Sequence, residues 1–463
     1  MGTARDRAMS TTLNRLYGSD APTDQQRAAF TSGSVPVAVY GLGKMGLPLA
    51  ATFAARSGNV VGVDLDPAVV DAINDGTSPV DGEPGLEPAV SATVGEGSLR
   101  ATTDGSRAAR DASIHVVIVP TLLDEDDVPD LSAIESVVED ISTGLAAGDT
   151  VFLESTLPPR SCVDVIQPQL ASGSGLDPDD FGLAFCPERT SSGRALEDIT
   201  GSYPKIVGGS DEESTRVARL VYDEITDNEV IPMSDPTTAE CVKLFEGLYR
   251  DVNIALANEL GRLADELEID VREAIDAANT QPYCDLHDPG AGVGGHCIPY
   301  YPHFVIESCE TETPLLETAR EVNERMEQFT VQATVDELDR VGTGVEDASI
   351  GVLGVTYRPG IDETRASPAW TITSALSAAG ANVYNVDPVC SDLEAFAGRP
   401  ATLSDLPAID PDALVLLTAH DAFDDIPWRR LSDPVVVDGR NALADPGTDG
   451  PVYTIGSGRA ASD

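Results

Sequence analysis

Lysine is almost missing from this chain of 463 residues: Lys44, Lys205 and Lys243 are all there are. Lysine and arginine together number 29 against 78 acidic residues, a formal net charge of −49. A chain so acidic repels polyanions, which excludes nucleic acid and anionic membrane surfaces as partners. Disorder is the usual companion of high charge, but aliphatic segments spread throughout the chain argue against it. The acidity suits a cytoplasmic protein of a halophile, because at ~1 M salt the Debye length shrinks to ~3 Å and self-repulsion is screened. Long hydrophobic runs are also absent. No stretch approaches eighteen apolar residues, so no membrane span is expected. Residues 1–33 lack a hydrophobic signal core and read as a polar N-terminal extension. Seven cysteines, an odd number without framework spacing, argue against structural disulfides and for a reducing cytosol.

At this length one ordinary core does not suffice, and several domains are expected. Short apolar strands at Val35–Tyr40, Asn59–Val63, Ile114–Val119, Thr150–Leu153 and Gly182–Phe185 alternate with helix-like stretches. That alternation predicts a parallel, doubly wound sheet. From Pro236 to about Leu267 turn signals vanish, and Val242, Phe245, Val252, Leu256 and Leu260 recur at helical steps. Strand and helix alternate again from Ser349. The expected fold is α/β: two Rossmann-like parallel-sheet domains joined by a long central helical segment. Boundaries are drawn at 34–232 for the first Rossmann-like domain, 233–335 for a central helical domain and 336–463 for the second Rossmann-like domain. The long helix is the expected interface of a homodimer or higher homo-oligomer.

Gly41-Leu42-Gly43-Lys44-Met45-Gly46 follows the first strand and opens a helix. Gly41 would allow the tight turn, Gly43 the approach of a pyrophosphate, and Gly46 helix–strand packing. Asp64 ends the second strand, where it would accept hydrogen bonds from ribose hydroxyls. Asp66 follows and no arginine adjoins, which favours NAD over NADP. A second glycine run, Gly290-Ala291-Gly292-Val293-Gly294-Gly295, ends at His296-Cys297. Its lack of side chains leaves the approach to the thiol open. Cys297 is a candidate nucleophile that would need a cationic neighbour or a base. A metal set of Cys284, His287, His296 and Cys297 is the alternative, disfavoured because adjacent His-Cys makes a poor ligand pair. Lys243, retained in a chain nearly without lysine, is the candidate cation for a developing oxyanion. Lys44 reads as a loop residue beside the cofactor and Lys205 as the start of a strand.

Taken together, the chain resembles the nucleotide-sugar 6-dehydrogenase family from about Val35 to Ala442. The carriers are the first glycine loop through Ala50, Glu154-Ser155-Thr156-Leu157-Pro158-Pro159, Cys186-Pro187-Glu188-Arg189, Ala239-Glu240-Cys241-Val242-Lys243-Leu244 and Tyr249-Arg250-Asp251-Val252-Asn253-Ile254-Ala255. The Cys297 loop and Thr356-Tyr357-Arg358-Pro359 through Arg365-Ala366-Ser367-Pro368 complete the match. The resemblance implies a four-electron oxidation of a UDP-sugar C6 alcohol to the uronic acid, with NAD as cofactor and a thioester on Cys297. It implies Lys243 as oxyanion stabiliser and Glu188 as general base. Gly41, Gly43, Met45, Gly46, Asp64, Thr121 and Thr156 would serve the cofactor. Arg250, Asn253, Gly294, His296, Tyr357, Arg358 and Arg365 would serve the UDP-sugar.

Three positions depart from the family pattern. Gly247 stands where an asparagine is usual, one helical turn after Lys243. Tyr301 stands where an aspartate is common, and Leu122 follows Thr121 in place of a proline. The sequence Gly-Gly-His-Cys-Ile is similar to that of N-acetylhexosamine members. It favours UDP-N-acetylmannosamine as substrate, then UDP-N-acetylglucosamine, with UDP-glucose as a further alternative. Two other readings remain: a single-step dehydrogenase of the β-hydroxyacid type, and a non-catalytic UDP-sugar and NAD binding protein.

Overall fold

A computed structural model describes residues 13–124, 126–443 and 447–459. The chain divides into two compact units, Met1–Phe245 with His303–Ser308, and Glu246–Pro302 with Cys309–Asp463.

Unit 1 opens with the polar extension, whose first twelve residues lie outside the described ones. Residues 13–33 are more than polar covering, since Leu16 and Phe30 join the core and Arg15 pairs with Asp149 at 2.7 Å. Helix α1 (Thr23–Thr31) packs on α2 (Gly46–Ser57), and β1 (Val37–Tyr40), β2 (Val60–Val63) and β3 (Leu99–Thr102) begin the sheet. The strands β4 (Ile114–Val117), β5 (Thr150–Leu153), β6 (Gly182–Phe185), β7 (Lys205–Gly209) and β8 (Val230–Pro232) complete one sheet, with α3 (Glu212–Ile225) between the last two. Its order is β8-β7-β6-β5-β4-β1-β2-β3. The six strands β1–β6 are parallel in the doubly wound order 3-2-1-4-5-6, while β7 runs antiparallel to β6. Alternate residues of β1 feed two cores: Val37 and Val39 on one face, Ala38 and Tyr40 on the other. A strand covered on both faces must be apolar throughout, which is why Val-Ala-Val-Tyr carries no polar break.

Helix α4 (Pro236–Arg262) runs for 27 residues, and the division between the units falls within it. Unit 2 continues with α5 (Val271–Asn279) and the glycine-rich loop; a short α6 (Tyr301–Ile306) begins in unit 2 and continues in unit 1, and α7 (Pro314–Val341) follows in unit 2. Gly342, at φ +85°, ends α7 in the left-handed conformation that suits glycine. A second sheet holds β9 (Ser349–Leu353), β10 (Asn382–Val386), β11 (Arg399–Ala401), β12 (Ala413–Leu416), β13 (Val435–Asp438), β14 (Val452–Thr454) and β15 (Gly458–Arg459). Its order, β11-β10-β9-β12-β13-β14-β15, repeats the doubly wound pattern of unit 1, with only β15 antiparallel. The two α/β sheets and the long helix are the expected architecture. Among the described residues, no helix is long and apolar enough to cross a membrane.

Candidate functional site

In unit 1 the strand order reverses between β1 and β4, the crevice where open α/β sheets take their ligands. Gly41 lies there at φ +94°, and a Cβ on it would fall 2.8 Å from the Ile118 carbonyl oxygen. At Gly46 a Cβ would lie 1.9 Å from the Gly41 oxygen, so the helix can start this close only on glycine. Around Gly43 the space is open. Asp64 braces the turn: one carboxylate oxygen accepts the Leu42 N–H at 2.9 Å, the other the Asp66 N–H at 3.0 Å. Leu65 beside it is 86% exposed, an apolar surface at the rim. Beyond the ends of β4 and β5, the Thr121 hydroxyl donates to the Thr156 carbonyl at 2.7 Å. A glycine cradle that a methyl group would close, with a carboxylate at the next strand end, fits a dinucleotide.

The same unit places Lys243 and Glu188 together. Their Nζ and Oε2 atoms lie 3.7 Å apart, and both side chains are buried. The other Glu188 oxygen accepts the Thr190 N–H, while the Thr190 hydroxyl donates to Met45 Sδ at 3.1 Å. The Glu188 segment is thereby tied to the first glycine loop. Lys205 is engaged differently: its Nζ donates to Glu154 Oε2 at 2.7 Å and lies 4.6 Å from the centre of the Tyr222 ring. Tyr222 donates its hydroxyl to the other Glu154 oxygen.

In unit 2 the second glycine run has a cause that the sequence does not suggest. Its glycines make room for the chain's own segment 357–368. A Cβ on Gly292 (φ +141°) would lie 2.8 Å from Pro368 Cγ, and one on Gly295 (φ +101°) 2.9 Å from Tyr357 Cε2. At Gly294 it would meet both the Ala366 oxygen and Tyr357 Cβ at 2.8 Å. The loop is fastened to that segment by the Gly295 N–H, which donates to the Arg365 carbonyl at 3.0 Å. His296 Nε2 is 2.9 Å from Glu363 Oε2, and its ring meets Tyr357 edge-on at 6.2 Å. Burial, then Glu363 and the neighbouring Cys297, push the Tyr357 phenol up from its ordinary range. Cys297 is exposed, whereas Cys162 and Cys186 are buried and burial pushes both those thiols up.

Gly294, His296, Tyr357 and Arg365 thus gather around Cys297. Arg250, Arg358 and Arg365 are exposed. The Asn253 amide is committed to the chain itself, donating to the Asp285 carbonyl at 2.6 Å and accepting the His287 N–H at 2.9 Å. The loop is anchored by residues that carry no motif. Asn258 Oδ1 accepts the Gly290 N–H at 2.9 Å, and Arg440 Nη2 donates to the Gly292 carbonyl at 3.1 Å. Arg272 donates to the Pro289 carbonyl. Glu363 belongs with these as a residue the sequence reading missed. The scarcity of basic residues was the one available signal, since a buried arginine in so acidic a chain has a use. Among the described residues, no group of three or more His, Cys, Asp or Glu is arranged to hold a metal ion.

Unit 2 also echoes the turn of unit 1. Gly354 follows β9 at φ +81°, and Asp387 follows β10 to accept the Val355 and Thr356 N–H groups at 2.8 and 3.0 Å. Burial raises the Asp387 carboxyl, but His420 and the Thr356 and Val389 amides hold it well below the usual carboxylate range.

Three family models match the chain in order. They are the NAD binding domain of the UDP-glucose/GDP-mannose dehydrogenase family over residues 35–226, its central domain over 237–325 and its UDP binding domain over 351–445. The chain is 33% identical over 415 residues to a UDP-N-acetyl-D-mannosamine dehydrogenase of Pyrococcus horikoshii, covering 89% of this chain and 96% of the relative. It is 34% identical over 413 residues to an NDP-N-acetyl-D-galactosaminuronic acid dehydrogenase of Ralstonia solanacearum, covering 87% and 95%. Among solved structures, the UDP-D-ManNAc dehydrogenase of Pyrococcus horikoshii superposes with a TM-score of 0.84 at 31% identity, covering 91% of this chain and 99% of the other.

Proposed function

The chain belongs to the UDP-glucose/GDP-mannose dehydrogenase family, and from that premise we propose that it oxidises the C6 hydroxymethyl group of UDP-N-acetylmannosamine to the carboxylate. Bound NAD⁺ supplies the hydride acceptor, and the balance is R–CH₂OH + 2 NAD⁺ + H₂O → R–COO⁻ + 2 NADH + 3 H⁺. Gly41, Gly43, Gly46 and Asp64 would hold the cofactor, with Met45, Thr121 and Thr156 as further residues that would serve it. Cys297 adds its sulfur to the aldehyde carbon after the first oxidation. It leaves again when water attacks the acyl carbon after the second. Lys243 supplies a fixed ammonium to the oxyanions, and Glu188 takes the proton of the attacking water. Tyr357, Arg358 and Arg365, with Arg250, Gly294 and His296, receive the UDP-sugar, where a guanidinium fork suits a diphosphate, and Asn253 contributes by holding the 285–287 segment.

One observation carries this reading: Cys297 is an exposed thiol on a glycine-shaped loop, with His296 and Tyr357 beside it. The test is a panel of UDP-sugars with NAD⁺ in molar KCl, counting NADH per sugar and identifying the acid formed. Two NADH per sugar are expected, with acid formation abolished in Cys297→Ser. One NADH per sugar, or a fully active Cys297→Ser, overturns the reading in favour of a single-step dehydrogenase. Turnover of UDP-N-acetylgalactosamine in preference favours a second reading, which the Ralstonia relative at comparable identity supports. The reading extends to a homo-oligomer in a salt-rich cytoplasm, its uronate consumed in surface-polysaccharide synthesis.

A further inference from the structure

Gly247 and Tyr301, two of the positions that depart from the family pattern, lie against each other. A Cβ built on Gly247 would fall 2.2 Å from Tyr301 Cδ2, 2.9 Å from Cγ and 3.1 Å from Cβ. No side chain fits at 247 while the ring is there, and both residues are buried. An asparagine at 247 therefore demands a residue other than tyrosine at 301. The two departures are one exchange: the side chain lost from α4 is replaced by a ring reaching in from α6.

The ring's seat bears directly on the nucleophile's loop. Tyr301 donates its backbone N–H to the Cys297 carbonyl at 2.9 Å, and Tyr300 donates to the same oxygen at 3.1 Å. Tyr301 is thus tied to Cys297 by its backbone and to α4 by its ring. We propose that Tyr301 is a positioning residue for Cys297, holding the thiol in place by seating its ring on Gly247. The inference rests on Cys297 as the nucleophile. It assigns the work at 301 to the ring, not to the phenol hydroxyl, so that position offers the reaction no acid or base.

The test is a cycle of Gly247→Asn, Tyr301→Asp and the double variant, with Gly247→Ala and Tyr301→Phe beside it. Two readouts apply: kcat and KM, and the iodoacetamide alkylation rate of Cys297 without substrate, followed by peptide mass. Gly247→Ala is expected to lower kcat at least ~10-fold and change the alkylation rate at least ~3-fold, with KM for NAD⁺ within ~2-fold of the parent. The double variant is expected to recover at least ~5-fold in kcat over Gly247→Asn, because the two sites share one contact. Tyr301→Phe should stay within ~3-fold of the parent in both readouts. Unchanged alkylation and kcat in Gly247→Ala, or single effects that simply multiply, overturn the proposal. So does a Tyr301→Phe as damaged as Tyr301→Asp, which would assign the hydroxyl instead. If Gly247→Asn fails to fold, a soluble double variant supports the exchange and an insoluble one overturns it. An active Cys297→Ser removes the nucleophile reading alone, because the alkylation cycle still reports the seat.

Discussion

Two of the three lysines make opposite kinds of pair, and the difference predicts how each fails. Lys205 is in direct hydrogen bond with Glu154, at 2.7 Å, with Tyr222 on the carboxylate's other oxygen. Every strong partner in that group is spoken for. Removing the ammonium in Lys205→Met leaves a buried carboxylate unpaired, and unit 1 should lose about 3 kcal/mol of stability, read by chemical denaturation. Lys243 faces Glu188 at 3.7 Å, too long for a hydrogen bond. Its donors are therefore open to a third party such as an oxyanion. Lys243→Met is expected to cost about 10²–10³-fold in kcat, the size of losing a fixed oxyanion donor, while KM for NAD⁺ holds. Equal stability losses in both variants, with kcat preserved in Lys243→Met, would reduce Lys243 to a structural cation.

At the scale of elements, α4 is fastened to unit 1 through Glu240, whose carboxylate accepts the Arg160 N–H at 2.6 Å and the Cys162 N–H at 2.8 Å. Those amides begin the helical segment from Cys162, so the glutamate serves as its cap from another element. Burial pushes the Glu240 carboxyl up to about 7 from 4.5, even against these amides, and raises Asp149 to about 6 from 3.8. A carboxyl raised on folding stabilises when protonated. Its contribution is complete below the unfolded value and is lost as pH climbs through the folded one. Stability should therefore fall between about pH 4.5 and 7 at Glu240, by about 3 kcal/mol in all. Glu240→Gln should flatten that slope in denaturation midpoints measured across pH, and an unchanged slope would exclude Glu240 as its source. The cap was invisible in the sequence because the partners are about eighty residues apart. By contrast, the turn at Gly41 was legible, because the positive φ and the helix start are local demands met by neighbouring residues. The Cys297 loop was half legible. Its glycines announced close approach, but what approaches is Tyr357 and Pro368, set by the tertiary fold. Strand positions could be read from apolar runs, yet the reversal of β7 against β6 could not, since apolar patterning carries no direction.

For the whole molecule, salt acts on two populations of charge in opposite senses, and their sizes decide the sign. Pairs such as Arg107–Asp111, Arg160–Asp164 and Arg325–Glu321 have both partners exposed and weaken as salt rises. Each such pair contributes about 0–1 kcal/mol, so their loss is small. Buried pairs such as Arg320–Asp251 at 2.6 Å are shielded from the ionic atmosphere and change little. Against them stands the repulsion of a net −49, which no pairing can neutralise with 29 basic residues facing 78 acidic ones. The folded state concentrates that charge more than the unfolded chain does, so screening favours folding. Stability should rise steadily with KCl to molar concentration, with Tm gaining on the order of 10 °C between about 0.1 and 2 M. Glu240→Gln and the parent should shift in parallel, because the buried cap lies beyond the reach of the salt. A Tm that peaks below about 0.3 M KCl would mean the exposed pairs outweigh the repulsion, and would remove the salt-rich cytoplasm from the reading of this chain.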